Sequence, residues 1–308
     1  MTNTLVIDTS FGSTVGVLGH EPIVETDSRT HVERLQVNVG KAVEQAGLEP
    51  KDLDRIVVGV GPAPFTGLRA GVVAAKAMAY ATDAQLIGVD VLEPQAWMMR
   101  LKRHGDTRLA GCGFLRQVVP DAKDDNVRHL TLAVNDARRR QLYFALYADE
   151  PMDVKAGVSR TQSSDDEHRE SKISTVVGMD IDYPQHIVER ISQAIEGFST
   201  SERRYLIDVV GHGTAKYAEA WQAFGEALGC VIDASVLDAG AAGLDIFADC
   251  ALSSNGLDAH SAASDKTNGD EDRIGSIKPV EPLYLRRPDV SVPNPLKHVL
   301  NHAGATKA

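Results

Sequence analysis

The stretch Gly59-Val-Gly-Pro-Ala-Pro-Phe65-Thr-Gly-Leu-Arg69-Ala-Gly71 joins an apolar run to an alanine-rich one and decides the fold class of this part of the chain. Residues 56–60 read as a buried strand, and Thr66–Thr82 has the length and composition of a helix. Glycines at such a strand-to-helix turn let backbone N–H groups approach a phosphate. The stretch therefore predicts either an anion-binding loop or a rigid structural turn.

The details of this turn favour the structural role. No Gly-Lys-Ser/Thr sequence follows Gly67, and Pro64 stands where a dinucleotide-binding fingerprint requires glycine. Pro62 and Pro64 also lack backbone N–H groups, so two donors are missing from any phosphate cradle. Both interpretations stay open at this point, with the rigid turn favoured.

A short polar stretch after the first strand is a second candidate anion site. Sugar kinases and actin-like ATPases place an acidic residue near a metal-bound phosphate at such a hairpin, and they usually continue with Gly and Thr. Phe11 and Gly12 follow here instead, so a turn-stabilising aspartate is favoured. We retain these residues, with two glycines of the long turn, as a weak nucleotide or anion site: Asp8, Thr9, Ser10, Gly61 and Gly67.

Length, charge and cysteine content exclude several classes of protein. A chain of 308 residues suggests two lobes, because single cores usually stop growing near ~250–300 residues. The formal net charge of -11 argues against this chain alone gripping a nucleic acid backbone. The three cysteines form no CxxC pair, and no signal peptide or long apolar run occurs. We expect no metal site, no membrane contact and a cytoplasmic location.

Apolar periodicity divides the chain into two α/β lobes. The first, residues 1–104, reads as three strands, a helix, a strand, a helix, a strand and a helix. The second, smaller lobe, residues 105–308, opens with another hairpin, which turns at Asp136–Arg140. Its further helices are predicted near Pro184–Glu196, Ala215–Leu228 and Ala239–Ala251. Disordered insertions are predicted at about 105–126, 159–174 and 253–276.

Two helices of the first lobe differ in how their apolar residues are distributed. Residues 32–46 repeat apolar residues at i, i+3, i+4 and i+7, which is typical of an amphipathic helix. Residues 66–82 are apolar almost all the way round, so we expect this helix to be covered on more than one side. Its thin polar stripe consists of Arg69, Lys76 and Tyr80.

Four motifs along the chain carry a family resemblance. They are Leu-Val-Ile-Asp8-Thr-Ser10, the Phe65-Thr-Gly-Leu-Arg69 core of the long turn, Asp136-Ala-Arg138, and Pro282-Leu-Tyr-Leu-Arg286. Together they closely resemble the TsaB (YeaZ) family of bacterial tRNA threonylcarbamoyladenosine biosynthesis, over the full chain except the three insertions. One departure is Ala63-Pro64, where the family usually has Gly-Ser, which makes the loop stiffer and weakens the case for phosphate binding.

The resemblance implies a fold and a function. The fold is the two-lobed actin-like, sugar kinase and Hsp70 ATPase (ASKHA) fold, in which each lobe is a mixed sheet flanked by helices. The function is that of a non-catalytic subunit, which supports a TsaD-like catalytic partner in transferring a threonylcarbamoyl group from its adenylate to adenosine 37 of tRNA. A TsaE-like ATPase would dock on the pair, tRNA would be bound only through the complex, and ATP and metal would belong to the partners.

The resemblance also implies a partner surface. In the family the first two helices pack on the equivalent helices of TsaD as a four-helix bundle, and the matching helices here are residues 32–46 and 66–82. The residues implied to bind the partner are Leu35, Val39, Val43, Arg69, Ala70, Val73, Ala74 and Ala77.

Two alternatives remain open. The chain is either an ATP-binding or glycoprotease-like enzyme of the same superfamily, which would need metal ligands that the sequence does not show, or a homodimeric binding module. In the second case the helix at 66–82 would pair with its own copy, which is also expected when the true partner is absent.

Overall fold

The computed structural model describes residues 2–27, 30–118, 127–149, 173–196, 204–257 and 279–285. Within these residues ten strands form two five-stranded sheets. The strands are β1 (Thr4–Asp8), β2 (Ser13–Val17), β3 (Ile23–Glu25), β4 (Arg55–Gly59), β5 (Gln85–Val89), β6 (Val127–Asp136), β7 (Leu142–Ala148), β8 (Ser174–Asp182), β9 (Arg204–Val210) and β10 (Leu228–Ile232).

Helices cover both faces of each sheet. In chain order they are α1 (His31–Gln45), α2 (Phe65–Thr82), α3 (Glu93–Arg103), α4 (Pro184–Glu196), the single turn α5 (Ala218–Trp221) and α6 (Ala241–Ser254), joined by short 3₁₀ turns.

The first sheet has the order β3-β2-β1-β4-β5. The strands β1 and β2 pair as an antiparallel hairpin, whereas β1, β4 and β5 are parallel. Every residue of β1 and β4 is buried, and both read as nearly unbroken apolar runs, as expected for strands covered on two faces.

Alternation along β1 divides the first lobe into two cores. Ile7 points toward α1 and α2 and shares a core with Leu68. Val6 points to the opposite face and shares a core with Met98 of α3 and Phe247 of α6. Because successive residues of a strand face opposite sides, a single apolar run supports both cores.

The second sheet has the order β10-β9-β6-β7-β8. Ala133 and Ala145 on one face pack against Leu92 and the neighbouring turns of α3. Phe144 on the other face shares a core with α4 and with Trp221 of α5. The layers therefore run α1/α2, first sheet, α3/α6, second sheet, α4/α5, which confirms the prediction of two mixed sheets flanked by helices.

Helix α6 differs from the prediction in its placement. Its sequence position suggests the second lobe, but it packs against β2 and β5 of the first sheet and against α3. Phe247 and Cys250 are buried there. The last helix among the described residues thus completes the core of the first lobe.

The long helix predicted at 215–228 is wrong. The region consists of two 3₁₀ turns around α5, because Gly225 has φ 56° and ψ -126°, values outside the helical region. The chain then enters β10, a strand that apolar periodicity alone did not reveal. The edge strand β8 was also missed, because it directly follows the polar segment predicted as an insertion.

The insertion predicted at 105–126 is wrong for residues 105–118. Leu109, Leu115 and Val118 are buried in the core that contains α3 and α6. Gln117 also donates from Nε2 to the Val231 backbone oxygen at 2.7 Å, which caps the exposed edge of β10. The other two predicted insertions are wrong at their described ends, because Ser174 begins β8 and Ser253 and Ser254 belong to α6. Residues 119–126, 159–172 and 258–276 of the predicted insertions lie outside the described residues.

Candidate functional site

The glycine turn, residues 59–64, is bonded to its own lobe through two carbonyl groups. The Val60 oxygen accepts the Leu283 N–H at 2.7 Å, and the Gly61 oxygen accepts the Val91 N–H at 2.9 Å. Leu283 belongs to residues 279–285, which lie beside α2 and bring Tyr284 to a ring-centroid distance of 5.1 Å from Phe65. The turn is thereby fixed on the side of β5.

The second lobe holds the other two carbonyl groups of the glycine turn. Asn135, at the end of β6, donates from Nδ2 to the Pro62 oxygen at 3.2 Å. The Tyr143 hydroxyl of β7 donates to the Ala63 oxygen at 3.3 Å. Both side chains are buried, so the lobes meet in direct contact at the place where a phosphate loop would face a nucleotide.

Asp8 ends β1 and is 5% exposed. Its Oδ2 accepts the Ser10 N–H at 3.2 Å and the Ser10 hydroxyl at 2.6 Å. Burial raises the pKa of Asp8 above its usual value, although these hydrogen bonds and the nearby His212 act in the opposite direction. This pattern is that of the predicted turn-stabilising aspartate.

The remaining polar atoms of this stretch face glycines. Asp8 Oδ1 and Thr9 Oγ1 are buried without a hydrogen-bond partner among the described residues. A Cβ atom added at Gly59 would collide with Asp8 Oδ1, and one added at Gly71 would collide with Thr9 Oγ1. Gly59 and Gly71 are therefore required for the close packing of Asp8 and Thr9 against the strand and the helix.

The residues of the predicted weak anion site lie on neighbouring segments, and Asn135 Nδ2 reaches both the Ser10 oxygen at 3.5 Å and the Pro62 oxygen at 3.2 Å. Asp8, Thr9 and Ser10 lie together at the end of β1. Gly61 has φ +97° and its oxygen is bonded within the lobe, and Gly67 is buried in the first turn of α2. The geometry gives these residues packing roles, and anion binding by them stays an untested prediction.

An aromatic contact closes the boundary between the lobes beside this site. Phe11, in the β1–β2 turn, stacks on His212, which follows β9, with ring centroids 3.9 Å apart. His212 Nε2 lies 3.3 Å from Asp238 Oδ2. In the sequence, Phe11 stands out only as a departure from a kinase-like motif. No sequence pattern predicts its contact with His212 across the lobes.

The outward face of α2 exposes more apolar side chains than is usual for the solvent-facing side of a helix. Val73 is 61% exposed and Tyr80 is 93% exposed. Ala77 and Ala81 are exposed between and beside them. Positions 73, 77, 80 and 81 share one side of a helix. We call these four residues the outer apolar face of α2.

The predicted partner-binding residues of α1 lie on its inward side and are not exposed to a partner in this structure. Leu35, Val39 and Val43 are each 2% exposed or less and pack in the core against the first sheet. The apolar periodicity of α1 marks its inward side, while its outward side carries Val37, 56% exposed, among polar residues.

The predicted partner-binding residues of α2 divide between its two sides. Arg69, Val73 and Ala77 are exposed, and Ala70 is half-buried. Ala74, in contrast, is 8% exposed and belongs to the core below α2. Arg69 also lies over the Phe65 ring, with its guanidinium carbon 5.0 Å from the centroid.

A buried charged cluster lies at the other end of the second sheet. Arg103, the last residue of α3, has a fully buried side chain and donates to Asp149 and to Asp208 at 2.8 Å. His129 Nδ1 lies 2.8 Å from the same Asp208 oxygen. Burial of Asp208 acts to raise its pKa, but the bond to His129 and the Arg103 charge outweigh it, so the pKa is lowered.

The part of the chain that the structure describes contains no group of three or more His, Cys, Asp or Glu side chains placed to hold a metal. In the same residues no helix combines the length and apolar character needed to cross a bilayer.

Comparison with solved structures defines the class of fold. YeaZ from Pseudomonas aeruginosa superposes with a TM-score of 0.50 at 18% identity, covering 85% of this chain and 98% of that one. The chain thus has the two-lobed ASKHA-like fold that was predicted from its motifs.

Sequence comparisons agree with this assignment over shorter stretches. Residues 22–110 match the family model described as TsaD, tRNA N6-adenosine threonylcarbamoyltransferase. An uncharacterized protein of Mycobacterium tuberculosis is 39% identical over 133 residues, 43% of this chain and 49% of that protein. A tRNA N6-adenosine threonylcarbamoyltransferase of Cereibacter sphaeroides is 42% identical over 79 residues, 26% of this chain and 22% of that protein. The chain thus spans about half the length, or less, of these curated relatives.

Proposed function

We propose that this chain is a TsaB-type accessory subunit in the biosynthesis of threonylcarbamoyladenosine in tRNA, which pairs with a TsaD-like catalytic subunit. The fold shared with YeaZ supports this proposal. So does the match of residues 22–110 to the TsaD family model, because this segment contains both α1 and α2. Accessory and catalytic subunits built on one fold are able to pair through equivalent helices.

The observation that carries the proposal is the outer apolar face of α2. Tyr80 and Val73 expose most of their side chains, and Ala77 between them allows a second helix to approach closely. Exposed apolar patches on folded chains mark interaction surfaces, and tyrosine is among the residues that contribute most to binding. Helix α1 packs beside α2 and would supply Val37 to the same interface.

The boundary between the lobes supports a non-catalytic role. Asn135 and Tyr143 bond directly to the glycine turn, and Phe11 stacks on His212. These contacts occupy the region in which enzymes of this fold hold a nucleotide. We therefore assign catalysis, and the binding of ATP and metal, to the partner subunits.

The substitution Ala77→Glu tests the proposal. It places a charge on the exposed side of α2 without entering the core, so the chain should fold normally but lose association with the TsaD-like protein of the same genome. Gel filtration of the mixed proteins measures association. The matched control is Ala223→Glu, an exposed alanine beyond α5 in the second lobe, which should leave co-elution unchanged.

Ala74→Glu is not an equivalent test, because Ala74 is buried and a glutamate there would disrupt the chain itself. Co-elution of the Ala77→Glu variant at the native level would overturn the proposed interface.

Two further measurements separate the alternatives. The native chain analysed alone by sedimentation distinguishes a monomer from a homodimer, and a homodimer that excludes the TsaD-like protein would favour a self-pairing module. Isothermal titration with ATP and magnesium tests the hypothesis that the chain is an ATP-binding enzyme. Micromolar affinity for ATP would contradict a lobe boundary that is closed to nucleotides. Docking of a TsaE-like ATPase on the pair remains a prediction for the same reconstituted mixture.

A further inference from the structure

The hairpin between β6 and β7 carries an arginine tip, which we define as Arg138, Arg139 and Arg140. All three residues have left-handed backbone conformations, with φ values of 65°, 50° and 64°. Residues with a Cβ atom rarely adopt such conformations, and glycine or asparagine is favoured instead. A strained backbone that the surrounding structure maintains is more frequent at functional sites than elsewhere.

The environment of the arginine tip is fixed by the strands that it joins. The Ala137 N–H donates to the Gln141 oxygen at 3.1 Å, and the Gln141 N–H donates to the Arg138 oxygen at 3.0 Å. Asp136 Oδ1 accepts the Arg138 N–H at 2.8 Å. These bonds impose one geometry on the backbone that carries the three arginines.

The charge of the tip is local and positive. The three arginines are exposed, and Lys216 adds a fourth cation next to the hairpin, with Nζ 3.4 Å from Asp136 Oδ2. The hairpin thus carries three consecutive exposed arginines, and Lys216 beside it pairs with the half-buried Asp136, in a chain whose formal net charge is -11. Three adjacent guanidinium groups match phosphate oxygens better than lysines would, because each presents a planar fork of donors.

The position of the tip determines which phosphate ligand suits it. The hairpin extends from the end of β6, where Asn135 seals the lobe boundary by donating to the Pro62 oxygen. A small polyphosphate would need the boundary to open so that it could be enclosed. An extended phosphate backbone needs only the exposed surface that the tip already offers.

We propose that the arginine tip, together with Lys216, contacts the phosphate backbone of RNA. This inference rests on the proposed function, in which the assembled complex acts on tRNA, and it adds a contact from the accessory chain itself. The contact would position RNA without reading its sequence, as backbone contacts generally do. The acidic remainder of the chain would limit binding to this place.

The test compares two double variants in RNA binding. Arg138→Asn with Arg140→Gly removes two charges and installs residues that tolerate positive φ, so the turn should be retained. Lys51→Gln with Arg204→Gln removes the same charge from exposed positions, and Arg204 lies at the opposite end of β6 and β9. Each full-length protein is titrated into a fluorescent tRNA transcript over 50–200 mM KCl, alone and mixed with the TsaD-like protein.

We expect the tip variant to bind about tenfold more weakly than the native chain at low salt, with a log–log salt slope smaller by about 2. The control variant should match the native chain, and thermal unfolding should show that both variants are folded. Millimolar ATP should compete only as strongly as another salt of equal ionic strength.

Three results would overturn the inference: equal RNA binding by native and tip-variant proteins, equal weakening by the control, or no RNA binding by the native chain either alone or mixed with the TsaD-like protein. Loss of co-elution of the tip variant with the TsaD-like protein would also overturn it, since the arginines would then contact a protein. The proposed function is tested separately, by gel filtration of the native chain with the TsaD-like protein. That measurement does not depend on the RNA titration.

Discussion

The two ends of the second sheet are joined to the rest of the molecule by different kinds of contact. At one end lies the charged cluster of Arg103, Asp149, Asp208 and His129, in which Arg103 and Asp208 are buried and each carboxylate is paired. At the other end the lobes meet through single hydrogen bonds to the glycine turn and through the half-exposed Phe11 stacked on a histidine.

The difference shows where the molecule is rigid. Separating the paired charges would leave ions in a dry interior, which costs several kcal/mol per ion. Each contact at the lobe boundary contributes only about 0.5–1.5 kcal/mol. The α3 end of the second sheet therefore acts as the fixed point, and any opening between the lobes must occur at the boundary.

Among the substitutions that test this comparison, the replacement of Arg103 should have the largest effect on the free energy of unfolding. Arg103→Met removes the fully buried cation that binds both Asp149 and Asp208, so the free energy of unfolding should fall by about 3–5 kcal/mol. Urea denaturation with an unchanged m-value measures the loss.

Arg108→Met is the matched control for that variant. Arg108 also binds two carboxylates, those of Asp106 and Asp249, but its side chain is 36% exposed. Its removal should cost at most about 1 kcal/mol. An equal loss in the two variants would show that burial does not make the ion pairs of Arg103 more important for stability than the exposed ion pairs of Arg108.

The pH dependence of stability should have opposite signs for Asp8 and Asp208. The raised pKa of Asp8 means that the folded state keeps a proton that the unfolded state has lost, so native stability falls as pH rises above about 4 toward the folded pKa. The lowered pKa of Asp208 stabilises the fold above about 4, and this contribution is lost as pH falls further.

Urea denaturation of the native chain and of Asp8→Asn across pH 3–8 measures the first of these terms. The native-minus-variant difference should decrease with rising pH, by no more than about 1.4 kcal/mol per pH unit for one proton. A pH-independent difference would mean that Asp8 titrates normally in its buried position.

The contact between Phe11 and His212 should have the smallest effect. A double-mutant cycle with Phe11→Ala and His212→Ala should give a coupling energy of about 0.5–1.5 kcal/mol. A coupling near zero would indicate that the rings are adjacent without stabilising the closed boundary, and would weaken its contrast with the charged cluster.

The sequence predicted most of the local structure, because local structure depends on patterns within a few turns. The strands and helices before residue 104 lie within one or two residues of their predicted bounds. The predicted helix at 215–228 failed because one glycine, Gly225, adopts a conformation that composition does not reveal. The strands β8 and β10 failed because both lie at sheet edges, where alternation is weak.

The candidate site was less predictable, because it depends on contacts between distant parts of the chain. Periodicity correctly identified the apolar side of α1 but not the surface against which that side packs. Leu35 packs against the first sheet of the same chain and not against a partner. The outer apolar face of α2 was foreseen as an excess of apolar residues on one helix. The bonds from Asn135 and Tyr143 to the glycine turn had no sequence signal, since they join residues about 73 and 80 positions apart.

The placement of α6 has a consequence for the order in which the chain folds. One face of the first sheet, with Val6 and Val57, is covered partly by a helix that ends at Ser254. During synthesis from the N-terminus this apolar surface stays incomplete until almost the whole described chain has left the ribosome. A fragment ending at residue 104 would therefore aggregate, and the first lobe, although made first, is finished last.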